Sequence, residues 1–199
     1  MPMSADALTA RHIDADLVRR SIESPDEFER LIERYQELLR RYVRRISRAN
    51  NDELDIILQD VFIKAYENLN DFDQDLAFSS WIYRIAHNES IDYLRRNKRG
   101  GSSLDDPAYD DESVTLAETI AADDDIASDL DKGYLKANVK TILDELDPQY
   151  RAVLVLRFLE ERSYDEISDI LRKPPGTVAT LIHRAKKEFR RIAEERKTL

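Results

Sequence analysis

The chain has 199 residues, 42% hydrophobic and 36% charged, with four glycines and a formal net charge of −10, a composition that can bury one or two small cores and favours helices over sheet. No run approaches the ~18 apolar residues a membrane span needs and the N-terminus lacks a signal-peptide core, so a cytosolic protein without membrane insertion is expected. There is no cysteine, His12, His87 and His183 are too far apart for a metal-ligand spacing, and neither a glycine-rich phosphate loop nor G-x-S-x-G occurs, so no metal site, cofactor or enzyme is expected.

Residues 1–20 match no pattern and read as an N-terminal tail open to disorder. A first domain, residues 21–100, follows. Ser24-Pro-Asp-Glu27 has the form of a capping box, with proline at the first helical position. Phe28, Leu31, Ile32, Tyr35, Leu39, Tyr42, Val43 and Ile46 then recur at helical spacing and predict a long amphipathic helix ending near Asn50-Asn51. A second helix from about Asp52 buries Leu54, Ile57, Leu58, Val61, Phe62, Ala65 and Leu69, with Asp55, Gln59, Asp60, Lys64 and Glu67 outward, a mixed set that suits a protein contact or plain solvent.

Residues 70–75 form a turn-rich loop, after which Phe78, Trp81, Ile82 and Ile85 share one face of a third helix and Tyr83, Arg84, His87 and Asn88 lie opposite. By its apolar neighbours Trp81 reads as core, and His87 as structural or a phosphate contact. The helix ends in a basic patch of Arg95, Arg96, Lys98 and Arg99 beside Tyr83, Tyr93 and the loop aromatics. Rings among cations suit unpaired bases, each stack contributing ~1–3 kcal/mol while the cations hold the backbone.

Residues 101–133 carry eleven Asp or Glu and a single lysine, which accounts for the whole net charge. This stretch reads as a flexible linker extended by self-repulsion, serving as a solubilising spacer or as a nucleic-acid mimic in a partner's basic channel.

The second domain, residues 134–199, contains a capping box at Ser163-Tyr-Asp-Glu166 and a short helix through Ile167, Ile170 and Leu171. Arg172-Lys-Pro-Pro-Gly176 stops it, the glycine permitting the reversal and Thr177 capping a longer helix. In that helix Val178, Ile182, Ala185, Phe189 and Ile192 form the apolar stripe, while Ala179, Thr180, His183, Lys187 and Arg190, flanked by Arg184 and Lys186, lie opposite. From Arg172 to Lys197 nine Lys or Arg stand against three Glu. Short helix, tight turn and basic helix point to helix-turn-helix DNA binding, the alternative being a helical hairpin with a solvated basic face.

Taken together, residues 55–66, 78–88 and 92–96 resemble the second conserved region of extracytoplasmic-function sigma factors of bacterial RNA polymerase, and residues 143–156 with 163–191 resemble their fourth. The resemblance implies an all-α protein of two helical domains that directs promoter recognition and DNA melting. It makes Asp55, Gln59, Asp60, Phe62 and Lys64 the contact to the clamp helices of the largest polymerase subunit. It makes the loop from Asn70, with Phe72, Tyr83, Arg84, Asn88, Arg95, Arg96, Lys98 and Arg99, the surface that melts and holds the proximal promoter element. The fourth region would dock on the polymerase flap and read the distal element through Lys173, Gly176, Thr177, Ala179, Thr180, His183, Arg184 and Lys187, the amides of residues 176–178 meeting a phosphate. Ala179-Thr180-Leu181 departs from the Lys-Ser-Arg frequent in the family, which shifts recognition toward His183, Arg184, Lys187 and DNA shape or marks an unusual promoter. An anti-sigma factor is the further partner implied. A stand-alone helix-turn-helix regulator and an acidic-linker interaction protein remain the alternatives.

Overall fold

The computed structural model describes residues 5–74, 76–99 and 132–197, with side chains for residues 9–74, 76–97 and 139–196. No strand occurs among them, and the chain forms two compact helical units. The acidic segment from Asp105 to Asp131 and the side chains of Lys98 and Arg99 lie outside the described residues.

The first unit contains α1 (Ala5–Glu23), α2 (Phe28–Ser47), α3 (Asn51–Glu67) and α4 (Phe78–Arg99). Helices α2, α3 and α4 pack on one another, burying Leu31, Tyr35, Leu39, Tyr42, Val43 and Ile46 of α2 against Leu54, Ile57, Val61 and Ala65 of α3 and Ile82, Tyr83 and Ala86 of α4. Helix α1 occupies the stretch for which the sequence offers no element. Its inward positions are mostly polar: Asp14, Val18 and Ser21 are buried while Ile13 and Ile22 face out. What docks it is a hydrogen-bond anchor in which Asp14 accepts from Arg34 Nε and from Tyr35 OH, both at 2.6 Å. A buried carboxylate is tolerable because a charged donor and a hydroxyl satisfy it.

The capping box expected at Ser24 does not close. The Ser24 amide donates to Arg20 O at 2.7 Å, continuing α1, so the Glu27 carboxylate has no amide to reach back to; Pro25–Glu27 form a 3₁₀ turn instead. A box forms one element later. Asn50 Oδ1 accepts from the Glu53 amide at 3.0 Å and Glu53 Oε2 from the Asn50 amide at 2.9 Å, starting α3. Between α2 and α3 the chain reverses at Arg48, left-handed at φ 59°, where a side chain costs about 1–2 kcal/mol relative to glycine.

The second unit contains α5 (Lys132–Glu145), α6 (Pro148–Leu154), which runs on as a π turn over Val155–Leu159, α7 (Tyr164–Leu171) and α8 (Pro175–Lys197). Helices α5 and α6 pack on α8. Arg151 of α6 is 2% exposed and spans the end of α5, its Nε donating to Leu143 O at 2.8 Å and its Nη2 to Leu146 O at 3.1 Å and Asp144 O at 3.4 Å. The carbonyls that a helix C-terminus leaves unsatisfied thus meet a cation, which its dipole also favours.

The capping box at Ser163 is present, its amide donating to Glu166 Oε2 at 2.9 Å and Ser163 Oγ accepting from the Glu166 amide at 3.2 Å. The turn after α7 differs from the expectation. Arg172, not Gly176, takes the left-handed conformation, at φ 52°, and no glycine among the described residues has positive φ. Pro174 O accepts the Val178 amide at 3.0 Å, so α8 begins at Pro175 and Thr177 sits inside its first turn rather than capping it. Proline fits the first helical position because its fixed φ is helical and the missing donor would be idle there.

Candidate functional site

The candidate residues fall on three surfaces. The first is the outer face of α3. Ile56 and Ile63 are 61% and 47% exposed, seven residues apart and therefore on one face, with Gln59 and Asp60 between them. Of the residues expected here, Gln59 is exposed, Asp60 and Phe62 are half-buried, and Asp55 and Lys64 are engaged, Asp55 with Arg40 and Lys64 with the buried Glu89. The apolar pair escaped the sequence reading, which looked outward only for polar residues. Its signal was two isoleucines falling opposite the core positions Leu54, Leu58, Val61 and Ala65.

The second surface lies along α4, where Trp81, Arg84, Asn88 and Arg95 share a face by helical spacing. Asn88, Arg95 and Arg96 are exposed; Trp81 and Arg84 are half-buried, so Trp81 is neither fully core nor free. Two expected aromatics are not available there. Tyr83 is 1% exposed, packed 5.1 Å from the Tyr42 ring, and Phe72 is 7% exposed, 5.0 Å from Trp81 and 5.6 Å from Phe78. Phe72 anchors the loop from beneath, leaving Asn70, Asp73 and Gln74 on its surface. His87 faces inward enough for Nδ1 to meet Tyr42 OH at 3.0 Å, a structural role. Arg95 forms an exposed ion pair with Asp92 at 3.6 Å, which water and salt weaken readily.

The third is the outward face of α8. His183, Arg184, Lys187 and Arg190 are exposed; Ala179, Thr180, Thr177 and Lys173 are half-buried and Gly176 exposed. Thr180 Oγ1 donates back to Gly176 O at 3.0 Å. The other cations are partly committed. Arg191 donates to Glu188 and Glu195, each at 2.6 Å, which holds the Glu188 carboxyl below the usual carboxylate range; Arg196 pairs with Glu145; and Lys186 lies over the Phe158 ring at 5.8 Å. Among the described residues no carboxylate pairs with Arg184, Lys187 or Arg190. Because α8 starts at Pro175, the open amides at its N-terminus are those of Gly176 and Thr177, two rather than the three expected.

The turn that presents α8 is fastened by Ser168, whose Oγ donates to Lys173 O at 2.5 Å and whose carbonyl accepts from the Lys173 amide at 3.2 Å. Burial raises the Glu166 carboxyl, but the Ser163 amide and the Arg162 guanidinium, at 2.9 Å each, outweigh it and hold it below the usual range. On the same unit Phe158 and Leu159 of the π turn are exposed apolar side chains.

A profile for Sigma-70 region 2 matches residues 31–100 and one for Sigma-70 region 4 matches residues 136–189. The chain is 37% identical to the ECF RNA polymerase sigma factor SigW of Bacillus subtilis over 144 residues, covering 72% of this chain and 76% of that one. It is 33% identical to the ECF RNA polymerase sigma-E factor of Escherichia coli over 163 residues, covering 80% and 82%. Its fold resembles CnrH, solved in complex with the cytosolic domain of CnrY, at a TM-score of 0.65 and 22% identity over 92% of this chain and 97% of that one. It also resembles the sigma factor RpoE of Bartonella quintana, solved with the anti-sigma factor NepR, at 0.60 and 18% identity over 84% and 97%. Among the described residues no helix is long and apolar enough to cross a membrane. Both regions in this order, with relatives matched over most of their length, establish that the chain belongs to the extracytoplasmic-function sigma factors of RNA polymerase, in the sigma-70 family.

Proposed function

We propose that the chain acts in the cytoplasm, without catalysing a reaction itself, as a dissociable subunit that brings core polymerase to promoters and opens them. Residues 21–100, joined by α1, form the polymerase-binding and melting domain; residues 134–199 form the distal-element reader; and residues 101–133 link them. The face of Ile56, Gln59, Asp60 and Ile63, edged by Asp55, Phe62 and Lys64, docks on the clamp helices of the largest subunit. The observation that carries this reading is the exposed isoleucine pair. A regulator that only binds DNA has no use for an apolar stripe beside its basic faces, whereas a subunit that buries it gains the hydrophobic free energy.

The α4 face of Arg84, Asn88, Arg95 and Arg96, with Lys98, Arg99 and the loop from Asn70, holds the opened strand, and Trp81 rather than Tyr83 or Phe72 is the ring placed to stack. Extruding a base costs a few kcal/mol, which such a surface must offset. Helix α8 enters the major groove of the distal element with His183, Arg184 and Lys187 leading, Ala179 and Thr180 beneath them, and Lys173, Gly176 and Thr177 at the phosphates. Phe158 and Leu159 suit the polymerase flap. An anti-sigma factor that covers these surfaces holds the protein inactive; recovery of polymerase alone from native cells under all growth conditions would refute that partner.

Transcription by purified core polymerase on fragmented genomic DNA, with and without the protein, tests the whole reading. New start sites sharing two spaced upstream motifs are expected. Absence of new starts together with tight, sequence-specific duplex binding would replace it with the stand-alone regulator.

A further inference from the structure

Five arginines, 40, 41, 44, 45 and 48, crowd the last turns of α2 and the residue after it with no acid among them, in a chain whose net charge is −10. Helix geometry sorts them. Arg40 turns toward α3 and pairs with Asp55, whereas Arg41, Arg44 and Arg48 are exposed, spaced i, i+3, i+7 on the face opposite the buried Tyr42 and Ile46. Among the described residues no carboxylate pairs with Arg41 or Arg44; Arg44 reaches only Asn51 Oδ1, at 3.5 Å.

Arg48 adds an independent observation. It holds the left-handed position that ends α2, where glycine is cheaper, and its amide donates to Arg44 O at 3.3 Å. A residue kept where its backbone is strained points to a use for its side chain. Attraction between arginines and the helix C-terminus explains cations there but not the refusal of glycine at the one position that favours it.

We propose that Arg41, Arg44 and Arg48 form a contact track for the phosphate backbone of promoter DNA, separate from the α4 and α8 surfaces. The track rests on the sigma-factor reading for its ligand and extends it to a surface with no assigned role. Seven residues of helix rise about 10 Å, which spans roughly three phosphates of one strand at 3.4 Å of axis each. The track lies at the end of the unit where α4 also finishes: Arg44 meets Asn51 at the start of α3, and Glu53, in that same turn, accepts the Tyr93 hydroxyl of α4, one residue from Asp92 and two from Arg95. Of the nearby acids, Glu53 and Asp55 are already engaged, by the Asn50 amide with Tyr93 and by Arg40, while Asp52 beside Asn51 is exposed.

The test uses holoenzyme assembled from core polymerase and the full chain, with a fluorescent promoter fragment titrated across a series of salt concentrations. For R41Q/R44Q/R48Q, core affinity should stay within twofold of the original. Promoter affinity should fall by about tenfold or more, and the slope of log affinity against log salt should flatten by ~0.9 for each phosphate the variant no longer neutralises. The single variant Arg48→Gly is the sharper probe: the melting temperature of the free chain should rise by a few degrees, as the strained turn relaxes, while promoter affinity and salt slope both fall. An unchanged slope in the triple variant overturns the track, as does a loss confined to core affinity, which would make the stripe a polymerase contact. If the unsubstituted protein assembles no holoenzyme or directs no initiation, the sigma-factor reading itself fails, an outcome visible before any variant is compared.

Discussion

Truncating the isoleucine pair on α3, as Ile56→Ala with Ile63→Ala, tests the proposed polymerase docking apart from the stability of the fold. Fully burying an isoleucine contributes about 2 kcal/mol. With 61% and 47% of the two side chains exposed in the free protein, docking has roughly 2 kcal/mol still to gain from the pair, of which alanine keeps about a quarter. The double variant should therefore lose about 1.5 kcal/mol, a rise of ten- to twentyfold in the dissociation constant for core polymerase. Because both side chains already face water, the free chain should melt within a few degrees of the original, unlike a core truncation, which costs ~2–5 kcal/mol. Fluorescence anisotropy of the labelled chain against core polymerase measures the first quantity and a circular-dichroism melt the second. Core affinity within twofold of the original would refute the docking assignment; a collapse of the melt would refute the reading of the stripe as a free surface.

Replacing Arg95 and Arg96 together by alanine should impair strand opening, followed by permanganate reactivity of unpaired thymines, more than it weakens polymerase binding, and equal losses would disprove that placement. Arg151→Met leaves three carbonyls at the end of α5 without their donor, which should cost roughly 3–5 kcal/mol; the melt of the C-terminal domain should fall by more than about 10 °C, and a shift under ~3 °C would mean that water replaces the guanidinium. Glu166 supplies a pH test. Its carboxyl is held below its ordinary 4.5, so the stabilisation it gives is complete above that value and is lost as pH falls through the lowered one. Melts of the original and of Glu166→Gln should therefore converge in acid, as pH falls through that lowered value, and diverge toward neutrality, and a gap that stays constant with pH would remove the charge from the explanation.

What could be read from the sequence was what is local. The apolar stripes of α2, α3 and α8 and the box of α7 depend on residues three to seven positions apart, and the Ser163–Glu166 cap forms as its spacing predicts, whereas the equally local box at Ser24 is lost because α1 takes its amide. What escaped depends on partners distant in the chain. Helix α1 is held by a carboxylate that finds Arg34 and Tyr35 twenty residues on, and periodicity of apolar residues is blind to a stripe that is mostly polar. Tyr83 reads as outward on a helical wheel, yet α2 and α4 meet over Tyr42, and the ring goes in. The turn before α8 failed for a different reason: glycine is a sound first choice for a left-handed residue, but Gly176 comes four residues after Arg172, where the chain turns, and already lies inside the helix that begins at Pro175.

On the proposed reading, most residues that would act on DNA are those the fold leaves unsatisfied. In the first unit the buried acids are spoken for, Asp14 by Arg34 and Tyr35 and Glu89 by Lys64, and on the surface Asp55 pairs with Arg40. On α8 the same sorting removes Arg191 and Arg196 and leaves Arg184, Lys187 and Arg190 facing outward. A cation already paired must break its pair before it can neutralise a phosphate, so the salt slope of promoter binding should follow the sorted set rather than the total of basic residues. Arg191→Gln and Lys187→Gln remove the same charge from the same helix, four residues apart. If sorting governs the interface, the lysine variant should flatten the slope by nearly one unit and the arginine variant by much less, and equal slopes would show that net charge, not the arrangement of pairs, sets the affinity.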